Sequence, residues 1–166
     1  MSEPDLVPAE GQQRPDDPWW RWWSSLEHRK GDRAALRRCR SVRDVALEPA
    51  FHDVLKRLGK GWSGSDRERI AAAVGVLAQV EQNSPARSLA DAMASPKGDK
   101  PTVSDFRFRR LLRLETPDEL LHELPRIIRQ LGGAAPISQL ARDLMRWDDD
   151  VRKRWALHYY EKANLS

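Results

Sequence analysis

The chain has 166 residues, with 29 Lys and Arg against 25 Asp and Glu, a formal net charge of +4 and a single cysteine. That length suits one medium domain or two small ones sharing an interface. No apolar run is long enough to span a bilayer, no basic flank leads an apolar stretch at the N-terminus, and Cys39 has no partner for an internal disulfide, which argues against the membrane and secreted classes and predicts a cytoplasmic globular protein.

Residues 1–17 hold Glu3, Asp5, Glu10, Asp16 and Asp17 against Arg14, with Pro, Gly and Gln and few apolar side chains. Such a segment buries too little surface to offset its ordering entropy, and a disordered acidic tail is expected. From Pro18 onward apolar residues recur at spacings of three and four, which predicts helices near 18–29, 32–41, 49–59, 65–82, 86–94, 102–114, 117–131, 136–147 and 149–162, with no strand needed. In the first, Trp19, Trp22, Trp23 and Leu26 share one arc, so "WWRWWSSL" reads as a core seam; Trp20 sits at its edge and is the one ring left for base stacking. "SDRE" (65–68) and "TPDE" (116–119) fit capping boxes. Pro125 should kink its helix and Gly132–Gly133 should end it. "SPKGDKP" (95–101) is the best hinge, so the expected fold is all-α, with two small helical bundles packed together: 18–95 and 96–166.

Signatures of catalysis are missing. "KGWSGS" (60–65) lacks the spacing and lysine of a phosphate loop and reads as a loop before a capped helix. His28, His52, His122 and His158 lie far apart, which predicts no metal and no cofactor. In "WDDD" (147–150) the acids precede a helix, where Asp148 caps and Asp149 and Asp150 complement the dipole. Cys39 projects to the same side as Ala35 and Leu36, which favours a buried structural thiol over a nucleophile activated by arginines.

Positive charge is concentrated in two places. Arg29, Lys30, Arg33, Arg37, Arg38, Arg40 and Arg43 crowd one segment, and Arg107, Arg109, Arg110 and Arg113 follow Lys97 and Lys100. At roughly 100° per residue, Arg33, Arg37 and Arg40 project outward together. In the second group Phe108, Leu111 and Leu112 project inward, leaving Arg109, Arg110 and Arg113 outward with Arg107 flanking and Phe106 among them. A cationic ridge with an interleaved aromatic can hold a nucleic-acid backbone and stack against a base or a partner side chain, reading charge and shape because no base-reading motif is present. A solvated face with internal ion pairs, or a protein–protein adaptor meeting acidic partners, would use the same residues.

Four segments, "WWRWWSSL" (19–26), "GDRAALRRCRSVRDVALEPAF" (31–51), "RFRRLLRLETPDELLHELPRIIRQL" (107–131) and "LARDLMRWDDDVRKRWALHYY" (140–160), resemble in order and spacing the CasB family. That family is the small subunit of the type I-E CRISPR surveillance complex, Cascade. The resemblance implies a non-catalytic two-bundle subunit, present in two head-to-tail copies against the crRNA-bearing backbone subunits and the large PAM-reading subunit. Its implied task is to stabilise the R-loop by holding the displaced non-target single strand of DNA, with crRNA as another polyanion within reach. Arg37, Arg38, Arg107 and Arg113 match the family's basic positions; Arg33, Arg109 and Arg110 join them by helical projection alone.

Overall fold

The computed structural model describes residues 16–163, so the expected acidic tail lies outside the described residues except for Asp16 and Asp17. Ten α-helices carry the described chain: α1 (Pro18–Ser25), α2 (Lys30–Arg38), α3 (Val42–Ala46), α4 (Pro49–Leu58), α5 (Gly64–Leu77), α6 (Leu89–Met93), α7 (Asp105–Leu111), α8 (Pro117–Gln130), α9 (Ile137–Met145) and α10 (Asp149–Ala163). A 3-10 turn, Leu26–His28, ends the first of them early. None is long and apolar enough to cross a membrane.

Local chemistry sets these boundaries. Asp17 accepts from the Trp20 N–H at 3.3 Å ahead of Pro18, so a carboxylate and a proline start α1 together. The capping box of Thr116 and Glu119 starts α8, whose helix runs on through Pro125. The other expected box is displaced: Ser63, not Ser65, caps α5, its Oγ accepting from the Asp66 N–H at 3.1 Å. Asp66 then falls in the first turn, where its charge complements the helix dipole. The short α3 was not expected; Ser41 caps it and Val45 is its buried anchor.

α5 is the axis of the molecule. Its stretch from Ile70 to Leu77 is buried on every side, because alanines, valines and Gly75 let neighbouring helices approach closely. α3, α8 and α9 pack around it, α1 lies on α9, and α10 lies on α6. Trp19 and Trp22 enter the core edge to face at 6.3 Å, as the seam predicted. Trp23 is half-buried and donates from Nε1 to the Val80 carbonyl oxygen at 3.2 Å, and Trp20 tilts against it at 5.2 Å. Buried apolar residues from Trp19 to Tyr159 form one continuous cluster. At that scale, roughly 25 cal/mol per Å² of apolar surface removed from water makes the shared core the main source of stability.

Four two-residue strands correct the strand-free expectation. β1 (Gln82–Asn83) pairs in parallel with β4 (Ala134–Ala135), and β2 (Pro96–Lys97) pairs antiparallel with β3 (Lys100–Pro101), so "SPKGDKP" is a tight hairpin. The first pair begins where α5 and α8 end: the Glu81 and Gln82 N–H groups donate to the Gly133 carbonyl oxygen at 2.8 and 3.2 Å. Gly133 has φ 84°, a left-handed conformation that favours glycine at this junction.

Candidate nucleic-acid interface

α7 is a short helix with one buried and one charged face. Ser104 caps it, accepting from the Arg107 N–H at 3.2 Å. Phe108 stacks on Tyr159 of α10 at 4.1 Å with the rings 7° from parallel, and Leu111 is buried beside it. Those anchors fix the helix's rotation. Arg109, Arg110 and Arg113 are exposed, Arg107 is half-buried, and Phe106 stands out in solvent at 67% exposure, all as the projection predicted.

Between α7 and α8 lies a cleft of about 330 Å³, lined by Ser104, Phe106, Arg107, Arg110, Leu111, Leu114, Glu123, Arg126 and Ile127. Its floor is apolar and its rim carries three guanidinium groups against one carboxylate. Arg107 is held in place, donating from one terminal nitrogen to Gln130 Oε1 at 2.5 Å, while Gln130 Nε2 donates to the Thr102 carbonyl oxygen at 2.8 Å. Arg110, Arg113 and Arg126 make no ion pair among the described residues. Arg109 spends part of its charge on Asp105 at 3.2 Å, and Asp105 also accepts from the Tyr160 hydroxyl at 2.5 Å. Burial first, then that Asp105 bond, pushes the Tyr160 phenol up to about 12.

Arg126 and Glu123 escaped the sequence reading. Their signal is the face of α8: Glu123, Arg126, Ile127 and Gln130 recur at three and four spacings, beside the buried Leu120, Leu124 and Ile128. Ile127 closes the floor of the cleft, so that face turns toward α7.

The first arginine group is arranged differently from its projection. Arg33 and Arg37 do not stand outward with Arg40; both are half-buried against the end of α5. Arg37 Nε donates to the Ala78 carbonyl oxygen at 2.7 Å, and Arg33 donates from a terminal nitrogen to the Val80 carbonyl oxygen at 3.4 Å. In return Gln79 Nε2 donates to the Arg37 carbonyl oxygen at 3.3 Å. The Ala78 carbonyl, at the C-cap of α5, is an orphan of the helix C-terminus, which a cation satisfies well. Burial, with Arg33 alongside, lowers the Arg37 pKa. Arg38 and Arg40 are the exposed members of this group.

The remaining polar clusters have structural partners. Asp148 Oδ1 accepts from the Val151 N–H at 3.0 Å and caps α10, and that bond leads the causes holding its carboxyl below the usual range. Cys39 is half-buried, its Sγ 3.4 Å from the Ala35 carbonyl oxygen, and burial raises its pKa, the opposite of an activated thiolate. Ser88 Oγ and His158 Nδ1 lie 2.8 Å apart, and both side chains are buried. Asp143, 1% exposed, is bound by Arg154, by Trp155 Nε1 at 2.8 Å and by Gln139 Nε2 at 2.9 Å, a bracket joining α9 to α10. No group of three or more metal-ligating side chains occurs among the described residues.

Comparison with known proteins adds two findings. A family model described as CRISPR-associated protein Cse2 matches residues 32–160. Among solved structures, the crystal structure of CasB from Thermus thermophilus superposes with a TM-score of 0.65 at 21% identity, covering 90% of this chain and 99% of that one. A chain in the crystal structure of E. coli Cascade bound to a PAM-containing double-stranded DNA target superposes with a TM-score of 0.63 at 19% identity, covering 93% and 100%. At such identities these two likenesses establish the helical fold. No curated protein matches in sequence.

Proposed function

The chain belongs to the Cse2 family of CRISPR-associated proteins, and from that premise we propose that it is the non-catalytic small subunit of a type I-E Cascade complex, working in the cytoplasm, that steadies the R-loop by holding the displaced non-target strand of DNA. The observation that carries the DNA-holding part is the α7–α8 cleft, where Arg107, Arg110 and Arg126 share a rim with a single acid, Glu123, and exposed Arg113 extends the positive surface along the chain. Arginine forks suit phosphate oxygens, and a surface without a base-reading motif matches a complex whose sequence choice is made by guide pairing. Support for membership of the assembly comes from the family match and from the chain of similar fold within the E. coli Cascade structure.

In this reading two copies lie head to tail beside the crRNA-bearing backbone subunits and the large subunit, and multiplicity compensates for weak contacts of each copy. Arg38, Arg110, Arg113 and Arg126 contact the backbone of the displaced strand, Arg107 and Arg109 contribute from partly engaged positions, and Arg33 and Arg37 act chiefly by holding α2 on α5. The test is R-loop lifetime in a reconstituted complex carrying Arg110→Glu, Arg113→Glu and Arg126→Glu together. Shortened lifetime with unchanged assembly is expected. An unchanged lifetime sinks the proposal, and loss of assembly with normal lifetime in the residual complex favours the adaptor role. For the free protein, single-stranded DNA binding should fall with salt at a log–log slope of about −2 to −3 for three or four phosphates.

A further inference from the structure

Phe106 is the largest exposed apolar side chain beside the arginines of α7. Phe108, two residues along α7 and so about 200° around the helix, is fully buried on Tyr159, whereas Phe106 is 67% exposed at the mouth of the α7–α8 cleft. An exposed ring is ordinary by itself, but one at the mouth of a cleft offers a flat apolar face for a ligand to stack on. The same cleft supplies the other half of a nucleotide's chemistry: Arg107, Arg110 and Arg126 for a phosphate, with Leu111 and Ile127 as an apolar floor. Its volume of about 330 Å³ is enough to admit one nucleotide.

Resting on the reading above that this cleft meets DNA, we propose that it captures one unpaired nucleotide at a time, its phosphate among the three arginines and its base stacked on Phe106. The consequence is discrimination of strand state. A paired base already has both faces covered by its neighbours, and extruding it costs a few kcal/mol, whereas a base in a displaced strand is available without that cost. The arginines alone would hold duplex and single strand alike; the ring makes the site prefer the strand that has lost its partner.

The test uses the full chain and a twelve-nucleotide oligo-dT carrying one central 2-aminopurine, with anisotropy for affinity and 2-aminopurine fluorescence for stacking, at low salt. Wild type should quench the fluorophore, Phe106→Ala should abolish the quench and weaken single-strand binding about ten-fold while leaving the salt slope and duplex binding unchanged, and Phe106→Trp should restore both. Thermal unfolding of both variants should match wild type, since the ring is exposed. If Phe106→Ala binds and quenches like wild type while Arg110→Glu weakens binding, the stacking proposal is overturned and the charge reading stands. If the wild type does not bind the oligonucleotide at all in low salt, the DNA reading of the cleft falls first. Ten-fold tighter binding of the matching oligo-rU overturns the assignment to DNA.

Discussion

The Arg37 guanidinium donates from Nε to the carbonyl oxygen of Ala78 at 2.7 Å, so a side chain of α2 closes the C-terminal end of α5. α2 has Leu36 as its one fully buried residue, and a helix so lightly anchored depends on its polar contacts. Charge-assisted bonds of this kind are worth about 1.5–3 kcal/mol when buried and less when solvent reaches them. Arg37→Ala should therefore lower stability by about 1–2 kcal/mol, read as a lower urea midpoint at constant slope. Arg38→Ala, one position along and exposed, should change stability by no more than about 0.5 kcal/mol. Equal losses at both positions would contradict the capping role.

Alkaline stability should depend on Tyr159, alongside Tyr160, whose phenol is shifted the same way. The Tyr159 hydroxyl donates to the Val103 carbonyl oxygen at 2.6 Å, and burial, reinforced by Asp105, pushes its pKa up to about 12. The unfolded phenol titrates near 10. Between those values the folded state retains a proton that the unfolded state has lost, so stability present below pH 10 is lost as pH rises toward 12. Two units correspond to about 3 kcal/mol. Urea midpoints measured at pH 8, 10 and 11.5 should fall steeply for wild type and less steeply for Tyr159→Phe, which should also start about 1 kcal/mol lower because the Val103 carbonyl loses its donor.

Gly75 and Gly31 are both helical, yet alanine should act oppositely at the two. A Cβ on Gly75 would meet Leu121 Cδ1 at 2.5 Å and Val45 Cγ2 at 3.3 Å, where α3 and α8 close on α5. Leu121 is itself buried and has little room to turn. Overpacking of about 1–3 kcal/mol exceeds the helix-propensity gain of about 1 kcal/mol, so Gly75→Ala should destabilise by about 1 kcal/mol. At Gly31 nothing lies within 4 Å of the added carbon, and Gly31→Ala should stabilise by about 0.5 kcal/mol. Thermal midpoints moving in opposite directions are the expected result.

The contrast between α7 and α2 shows which features are readable in a sequence. On α7 the buried partners Phe108 and Leu111 have periodicity strong enough to fix the rotation, and the arginines simply take the remaining face. On α2 the same projection failed for Arg33 and Arg37, because an arginine head reaches far from its Cα and answers to acceptors that helical spacing does not see. Those acceptors, Ala78 and Val80, lie 41 and 47 residues away. The two-residue strand pairs were invisible for a related reason: such a ladder has no alternation, and its register, Gln82 to Ala134, is set by where α5 and α8 end. Arg126 was legible only in retrospect, since a lone arginine after Pro125 gains meaning from the cleft that α7 forms beside it.

Glu123 gives the cleft a prediction of opposite sign. It is the one acid on a rim of three arginines, half-buried, and with no ion pair among the described residues. A carboxylate there repels an incoming phosphate, and at low ionic strength such repulsion between partly exposed groups is worth a few tenths to one kcal/mol. Glu123→Gln preserves the shape and hydrogen-bonding capacity of the side chain while removing the charge. Single-stranded DNA binding should tighten about two- to five-fold in 50 mM salt, and the gain should shrink as salt rises, because screening removes a repulsion as surely as an attraction. Arg126→Gln, on the same face of α8, should weaken binding over the same range. A pair of variants that moved affinity in the same direction would mean that phosphate does not enter between α7 and α8, and the strand would then have to be carried by Arg38 and Arg113 outside the cleft.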